Sequence, residues 1–419
     1  MFRKLLRNKE LLWTVFAQFL QMSSGVVLIK LLTSNLSLTS YGTFSLVMAA
    51  SAFVLTVPFT ALQQGFYRYR AKYIKENKGE EFYASMIYGV VAIIFIYILL
   101  SYFITLSFFE SEIWHVHFFT IALFISTEVL KIYVRSIVNA DRNRKQYSIA
   151  IVIEFVTKLI FVVAYLRVNV INELDIVLLY SISNVMSILV CVRGYLGCFR
   201  IKVTCFFNEV WIKVLLFSTP LLLWGVFGWI RDSSLRWFIE TGLTTADVAV
   251  FSAITSIGMI IPIAMQSLIS AYIIPILYQN DTGINRVKAD KNFQKLGYAL
   301  HLCGVLLFFV IYLSSDFLIN LFTDDKYSSY SWALPWVFIS YYLFCCAMIS
   351  ATRLLVDFNP KALFLPNFLS GVIIPFVVVL SGDGFSFKYA ILAYCLSYIT
   401  YFLATWFILY KVNRSQVGV

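Results

Sequence analysis

Charged residues are scarce in this chain of 419 residues: Asp, Glu, Lys and Arg make up 13% of it, whereas 60% is hydrophobic. Soluble domains carry about 25% charged and about 45–50% apolar residues. A soluble globular protein is therefore excluded, and the composition indicates a polytopic membrane protein. The net charge of +11 does not indicate nucleic-acid binding, because Lys and Arg mark the cytoplasmic loops of membrane proteins.

Signatures of enzymes, metal sites and secretion are also sparse. No GxxxxGK[ST] phosphate loop is present, so ATP hydrolysis is not expected. Of only three histidines, His115 and His117 are close together, and we interpret them as interfacial residues rather than metal ligands. The seven cysteines lack zinc or redox spacing and are predicted to be small packing residues. The first apolar run, 11–32, is too long for a cleavable signal peptide.

Long apolar runs, in contrast, are abundant. A membrane-spanning helix needs about 20 mostly apolar residues. The runs lack the alternation of strands, so we predict helices throughout. Twelve segments qualify: 11–32, 43–66, 84–106, 116–138, 148–167, 173–197, 214–238, 247–278, 295–315, 332–350, 361–380 and 388–410.

The distribution of basic residues predicts the orientation. Of the 33 Lys and Arg residues, 23 lie at the termini and in the loops on the same side, three lie in the opposite loops and seven lie in or at the ends of spans. The three are Arg167, Lys326 and Lys388. Because basic loops stay in the cytoplasm, both termini are predicted to be cytoplasmic.

An internal repeat relates the two halves of the chain. The stretch LTSYGTFSLVMAAS (38–51) resembles LTTADVAVFSAITS (243–256), and VPFTALQQ (57–64) resembles IPIAMQSL (261–268) at nearly the same offset. Six spans per half give both repeats the same orientation. This is the parallel-repeat arrangement of transporters, whose substrate path lies between two bundles.

Charged residues also occur inside predicted spans, where each costs about 2.5–3.5 kcal/mol at the bilayer centre and usually faces a bundle interior or a watery cavity. Helical spacing places those of the fourth span on one face and those of the fifth span one turn apart. Two interpretations stay open: pairs that neutralise one another between helices, or groups that line a cavity. The residues are Glu128, Lys131, Arg135, Glu154 and Lys158.

The seventh span ends in a charged stretch, WIRDSSLRWF (229–238). The repeat places Arg231 over Gly25 and predicts that this span begins near Pro220, with the proline in its first turn. Arg231 then lies roughly one turn outside the midplane, and it is the best candidate for binding an anionic substrate. Asp232 is expected to pair with Arg236, four residues later.

Other polar residues extend this candidate path. The repeat makes Arg236 and Lys30 a pseudo-symmetric pair of cations near the outer mouth. Polar side chains form stripes on the first two spans, which either join helices or line a cavity. The stripes are Thr14, Gln18, Gln21 and Gly25, then Thr56, Thr60, Gln63 and Tyr67.

Two stretches carry a resemblance to a known family. STPLLLWGVFGWIRDSSLRWFIETGLTTADVAVFSAI (218–254) looks like the seventh-span pattern of that family, and RSIVNADRNRKQYSIA (135–150) looks like its link between the fourth and fifth spans. The family is the Wzx-type flippases of lipid-linked oligosaccharides, within the multidrug/oligosaccharidyl-lipid/polysaccharide exporter superfamily. In length and layout the resemblance covers the whole chain.

The resemblance implies a flippase, not an enzyme. Its substrate would be an undecaprenyl-pyrophosphate-linked repeat unit for O-antigen, lipopolysaccharide or other polysaccharide biosynthesis. The unit would move from the cytoplasmic to the outer leaflet of the bacterial inner membrane by alternating access, without a resident cofactor and coupled to Na⁺ or H⁺. The candidate substrate-binding cations are Arg231, Arg236, Lys30, Lys131, Arg135 and Lys158; the candidate coupling carboxylates are Glu128, Glu154 and Asp232; Gln18, Gln21 and Gln63 complete a polar lining.

The expected fold is all-α, with twelve transmembrane helices in two pseudo-symmetric six-helix bundles, 1–200 and 201–419, around a central cavity. We expect a monomer whose partners include a polysaccharide polymerase and a chain-length regulator. One alternative is a cation-coupled drug antiporter of the same superfamily, although a cationic drug would favour a cavity rich in carboxylates. A polysaccharide polymerase or ligase is a second alternative, and a lipid scramblase a third.

Overall fold

The computed structural model describes residues 9–108, 112–168, 172–193, 207–279, 283–356 and 360–417. Within these residues the secondary structure is helical and no strand occurs, which confirms the predicted all-α fold. Cys198 and Cys205, and the side chains of His115, His117 and Thr14, lie outside the described parts.

Seven α-helices form the first half of the described chain. A π-helical turn, Leu55–Phe59, joins the second and third of them, and Pro58 lies inside it. Proline removes a backbone donor and its ring displaces the preceding turn, which accounts for the local change of pitch. The helices are α1 (Lys9–Asn35), α2 (Leu38–Val54), α3 (Thr60–Lys75), α4 (Gly79–Phe108), α5 (Glu112–Ala140), α6 (Arg144–Leu166) and α7 (Glu173–Val192).

Seven further α-helices form the described second half. A second π-helical turn, Ile230–Ser234, joins the first two of them. The helices are α8 (Phe207–Trp229), α9 (Leu235–Gly242), α10 (Thr245–Gln279), α11 (Gly283–Phe322), α12 (Leu334–Val356), α13 (Phe364–Ser381) and α14 (Phe387–Val417).

The prediction that Pro220 lies in the first turn of its helix is wrong. Helix α8 begins at Phe207, and the chain stays helical on both sides of Pro220. The segments Glu209–Thr219 and Leu221–Gly242 are inclined at 51° to each other. A proline inside a helix costs one hydrogen bond and forces a bend, so Pro220 marks a bend rather than a first turn.

Most predicted spans correspond to helices that are long and apolar enough to cross a membrane. Among the described residues there are ten such helices, or eleven when the bent helix at Pro220 is counted as one span. The predicted span 116–138 lies inside α5 but is not among them, and it contains the charged residues Glu128, Lys131 and Arg135. A multi-pass membrane protein is therefore established, while the total of twelve spans stays a prediction.

The chain divides into two compact units that exchange short segments. The first unit contains Met1–Leu28 and Val47–Val226, and the second contains Ile29–Leu46 and Phe227–Val419. Helices α5, α6 and α7 pack together in the first unit, and α10, α12, α13 and α14 pack in the second. The predicted boundary at residue 200 lies outside the described residues, so the division into 1–200 and 201–419 stays a prediction.

Small polar residues allow the helices to pack closely, and apolar residues cover the outside. On α7, Ser181 and Ser183 are buried and their hydroxyls donate to carbonyls one turn back, at 2.8 and 2.9 Å. Such residues are common where membrane helices meet. On α11, Leu313 is 85% exposed and Leu302 65% exposed. A contiguous apolar surface of this kind is stable against lipid rather than water.

Candidate functional site

Arg231 lies in the π-helical turn Ile230–Ser234, between α8 and α9, and only 6% of its side chain is exposed. Its guanidinium donates to both carboxylate oxygens of Asp232, from Nε to Oδ1 at 2.7 Å and from Nη2 to Oδ2 at 3.1 Å. Adjacent residues on a regular α-helix do not face each other, so the pair forms where the turn is widened. Isolated π-helical turns are frequent at functional sites.

The second unit holds this guanidinium from three further helices. Nη1 donates to Oδ1 of Asn367 on α13 at 2.9 Å, and Nδ2 of Asn367 donates to the carbonyl of Leu363. The guanidinium carbon lies 4.4 Å from the ring centroid of Phe344 and 5.0 Å from that of Tyr401. A desolvated cation–π contact is worth about 2 kcal/mol, so the guanidinium is fixed in place from several sides. We call Arg231, Asp232, Phe344, Asn367, Tyr398 and Tyr401 the Arg231 site.

Asp232 does not pair with Arg236 as expected. Its carboxylate binds Arg231 and accepts a hydrogen bond from the Tyr398 hydroxyl at 2.8 Å. Arg236 instead donates to the main-chain carbonyl of Asp232 and to the Ser252 hydroxyl, both at 3.0 Å. The side chain of Asp232 is nevertheless 43% exposed, so the carboxylate in this buried pair is reachable from outside the site.

The charged residues of α5 and α6 form a second cluster, in the first unit. Lys131 lies 2.6 Å from Glu128 and 2.9 Å from Glu154. Glu154 also contacts Arg135 at 2.6 Å and Lys158 at 2.5 Å, and its side chain is 2% exposed. Three cations therefore surround two carboxylates, and the group has a formal charge of +1. We call these five residues the Glu154 cluster.

Helix α7 completes the Glu154 cluster with neutral polar groups. Asn184 accepts a hydrogen bond from Lys131 at 3.0 Å and donates to Glu128 at 2.8 Å. Arg135 donates to the Ser187 hydroxyl and to the carbonyl of Ala150. Because burial of charges is tolerated only when they are paired and hydrogen-bonded, this arrangement favours mutual neutralisation over the lining of an open cavity.

Other candidate residues lie apart from these two groups. Lys30 donates to the main-chain carbonyls of Asn320 and Thr323 at the end of α11. Gln63 donates to the Ser136 hydroxyl at 2.6 Å, which joins α3 to α5. Gln18 and Gln21 are half-buried on α1. Roles in substrate binding or ion coupling stay predictions for all of these residues.

The neutral residues of both groups are not among the residues predicted from the sequence. Asn184 and Asn367 are buried in otherwise apolar helices, and both hold cations. Since an amide inside a membrane helix is costly unless it is bonded, each asparagine was a detectable signal. The aromatic rings around Arg231 were not detectable, because aromatic residues are frequent along the whole chain.

No protein-family model and no curated protein matches the chain. Its fold, however, is that of solved transporters of the multidrug/oligosaccharidyl-lipid/polysaccharide exporter superfamily, abbreviated MOP. The shared architecture covers nearly the whole chain, and it confirms the superfamily fold that the resemblance implies.

Individual solved structures show the extent of this likeness. An inward-facing multidrug resistance transporter of the MATE family matches with a TM-score of 0.71 and 12% sequence identity, covering 95% of this chain and 96% of that chain. The lipid II flippase MurJ, in an inward closed conformation, matches with a TM-score of 0.65 and 16% identity, covering 96% and 87%. A MOP superfamily transporter from Pyrococcus furiosus, whose binding pocket has reversed polarity, matches at 0.62 and 10%, covering 95% and 94%. At such identities the likeness establishes the fold alone.

Proposed function

We propose that the chain is a flippase that moves a pyrophosphate-linked oligosaccharide lipid across the bacterial inner membrane by alternating access. One observation carries the proposal. Arg231 is an immobilised guanidinium whose bidentate partner, the carboxylate of Asp232, is 43% exposed. A phosphate group offers the same pair of acceptor oxygens to an arginine as a carboxylate does.

The charges of the candidate residues support an anionic substrate. Outside the Glu154 cluster and Lys30, which bonds to helix carbonyls, the candidates comprise two cations, Arg231 and Arg236, and one carboxylate, that of Asp232. A cationic drug would instead favour unpaired carboxylates. The likeness to MurJ supports a lipid-linked substrate, whereas the likeness to a multidrug transporter of the MATE family supports drug export as the second candidate.

Transport by Arg231 variants tests the proposal. The full chain is reconstituted in vesicles, and transfer of a fluorescent polyprenyl-pyrophosphate oligosaccharide between leaflets is followed under a proton or sodium gradient. Arg231→Gln should lower the transfer rate at least about tenfold, because a lost charge-assisted bidentate contact is worth about 1.5–3 kcal/mol. Arg231→Lys should retain part of the rate, since a lysine keeps the charge but not the fork.

Two controls make the outcome decisive. Arg167→Gln removes an exposed cation and should leave transfer unchanged. Export of a cationic dye in parallel vesicles tests the drug antiporter. Near-normal lipid transfer by a folded Arg231→Gln variant would contradict the role of Arg231, and dye export without lipid transfer would replace the flippase by the antiporter.

A further inference from the structure

Lys30 caps the C-terminal end of α11, and Lys326 caps the C-terminal end of α1. Lys30, on α1, donates to the carbonyls of Asn320 and Thr323 at the C-terminus of α11, at 2.9 Å in the case of Asn320. Lys326, which follows α11, donates to the carbonyl of Leu36 just beyond the C-terminus of α1, at 2.7 Å. The last carbonyls of a helix have no partner within it and carry partial negative charge, so a cation is favourable at both positions.

Both lysines are exceptions in the charge distribution of the chain. Lys326 is one of only three basic residues in the loops predicted to lie outside, and Lys30 is one of seven in or at the ends of spans. The reciprocal caps engage both of these exceptional cations, and Lys326 in addition lies 3.5 Å from the carboxylate of Asp324. Lys30 is therefore engaged by the end of α11 in this structure.

The contact joins a segment of the first sequence repeat to helices of the second. Residues Ile29–Leu46 belong to the first repeat, yet they pack within the second unit. Tyr41 meets Tyr327 edge to face, with ring centroids 6.4 Å apart. A Cβ atom added to Gly42 would lie 2.0 Å from the carbonyl oxygen of Thr245, so the two repeat-related helices α2 and α10 meet backbone to backbone.

We propose that Lys30 and Lys326 form a latch that keeps the outer ends of these helices closed and opens when the outer end of the transport path opens. The latch is suited to repeated opening. Its bonds are charge-assisted contacts to main-chain carbonyls, and water can replace them at modest cost because each cation is worth only about 0.3–1 kcal/mol at a helix end, or about 2 kcal/mol when partly buried. The inference rests on the alternating access proposed above.

The test measures access to the latched segment without any substrate. Ser45 is 6% exposed and lies on α2 within the segment Ile29–Leu46. In Ser45→Cys, a membrane-impermeant thiol reagent is added from outside, and modification at position 45 is measured by mass spectrometry, so the native cysteines are retained. Lys30→Met combined with Lys326→Met should raise the labelling rate on the order of tenfold.

Three further variants show whether a change in labelling is due to the latch. Lys388→Met removes an exposed cation from the first turn of α14, at another of the predicted outer ends, and should not change labelling. Lys326→Arg keeps a cation at the cap and should restore most of the protection. If the double variant does not fold, the single Lys326→Met decides, with an expected rise of about threefold.

Unchanged labelling in a folded double variant would overturn the latch, and so would an equal rise in Lys388→Met. Neither result bears on lipid transfer. Conversely, if the vesicle experiment shows no lipid transfer, the effect of the lysine variants on labelling is unaffected. The two proposals can therefore be contradicted independently.

Discussion

Arg231 and Glu154 are both buried charges, but their partners differ in accessibility. Glu154 is surrounded by Lys131, Arg135 and Lys158, and all three cations are at most 14% exposed. The partner of Arg231, in contrast, is a carboxylate that is 43% exposed. A pair with one accessible member can exchange that member for an external ion, whereas a closed group cannot without local opening. We therefore propose that the Glu154 cluster stabilises the first unit and that the Arg231 site binds the substrate.

Replacement of Glu154 by Gln should destabilise the first unit by about 3–5 kcal/mol, because three buried cations then lose their shared carboxylate. The measurement is thermal unfolding of the purified protein in detergent. Glu154→Gln combined with Lys158→Met restores the formal charge of the cluster to +1 and should recover a large part of the stability. Equal loss in the single and double variants would show that charge balance is not what holds the cluster.

At the scale of helices, a single close approach fixes how α2 meets α10. Gly42 has no room for a side chain, because an added Cβ would lie 2.0 Å from a backbone oxygen of Thr245. A backbone atom, unlike the end of a flexible side chain, cannot move aside without shifting its helix. Glycine at such a contact lets two membrane helices approach closely.

Gly42→Ala should therefore lower the free energy of unfolding by about 1–3 kcal/mol, as other overpacked interiors do. Gly25→Ala is the matched control, since nothing lies within 4 Å of a Cβ added there. The control should be neutral or slightly stabilising, because alanine favours a helix interior over glycine by about 1 kcal/mol. Similar melting temperatures for the two variants would contradict the close approach of α2 and α10.

The positions of most helices follow from the sequence, because about 20 consecutive apolar residues leave few alternatives in a membrane. The start of α8 does not follow. Residues 207–213 include Glu209 and Lys213, which hydropathy excludes from a span, yet these two bond to each other one helical turn apart and continue the helix. The charges of the fourth span lie on helix α5. Besides the pair Lys131–Glu128 within α5, their partners lie on α6 and α7, which the sequence of α5 does not reveal.

The charged residues of the candidate sites could be predicted from the sequence, but their pairing could not. Charged residues in apolar runs are visible in a sequence, so all five members of the Glu154 cluster were selected. Their pairing depends on distances between helices that spacing along one helix does not contain. The prediction for Asp232 assumed α-helical spacing, and the π-helical turn Ile230–Ser234 accompanies pairing with Arg231 instead of Arg236.

In the molecule as a whole, the sequence repeats and the compact units do not coincide. The chain passes between units after Leu28, after Leu46 and after Val226, each time within a helix. Each sequence repeat thus contributes a short segment to the unit formed mainly by the other. Lys30 of the latch lies in one of these exchanged segments, while the Arg231 site begins shortly after the last crossing.

A transport cycle driven by an ion gradient needs a carboxylate that ions can reach. The three candidate coupling carboxylates differ in the exposed fraction of their side chains. Asp232 is 43% exposed, Glu128 17% and Glu154 2%. Asp232→Asn should therefore abolish the acceleration of lipid transfer by an imposed proton or sodium gradient, while slow transfer without a gradient persists through the retained Arg231. Glu128→Gln should keep most of the gradient response in the same vesicles, because Lys131 remains paired with Glu154. A full gradient response in Asp232→Asn would exclude this carboxylate from coupling, and loss of the response only in Glu128→Gln would transfer the role to the first unit.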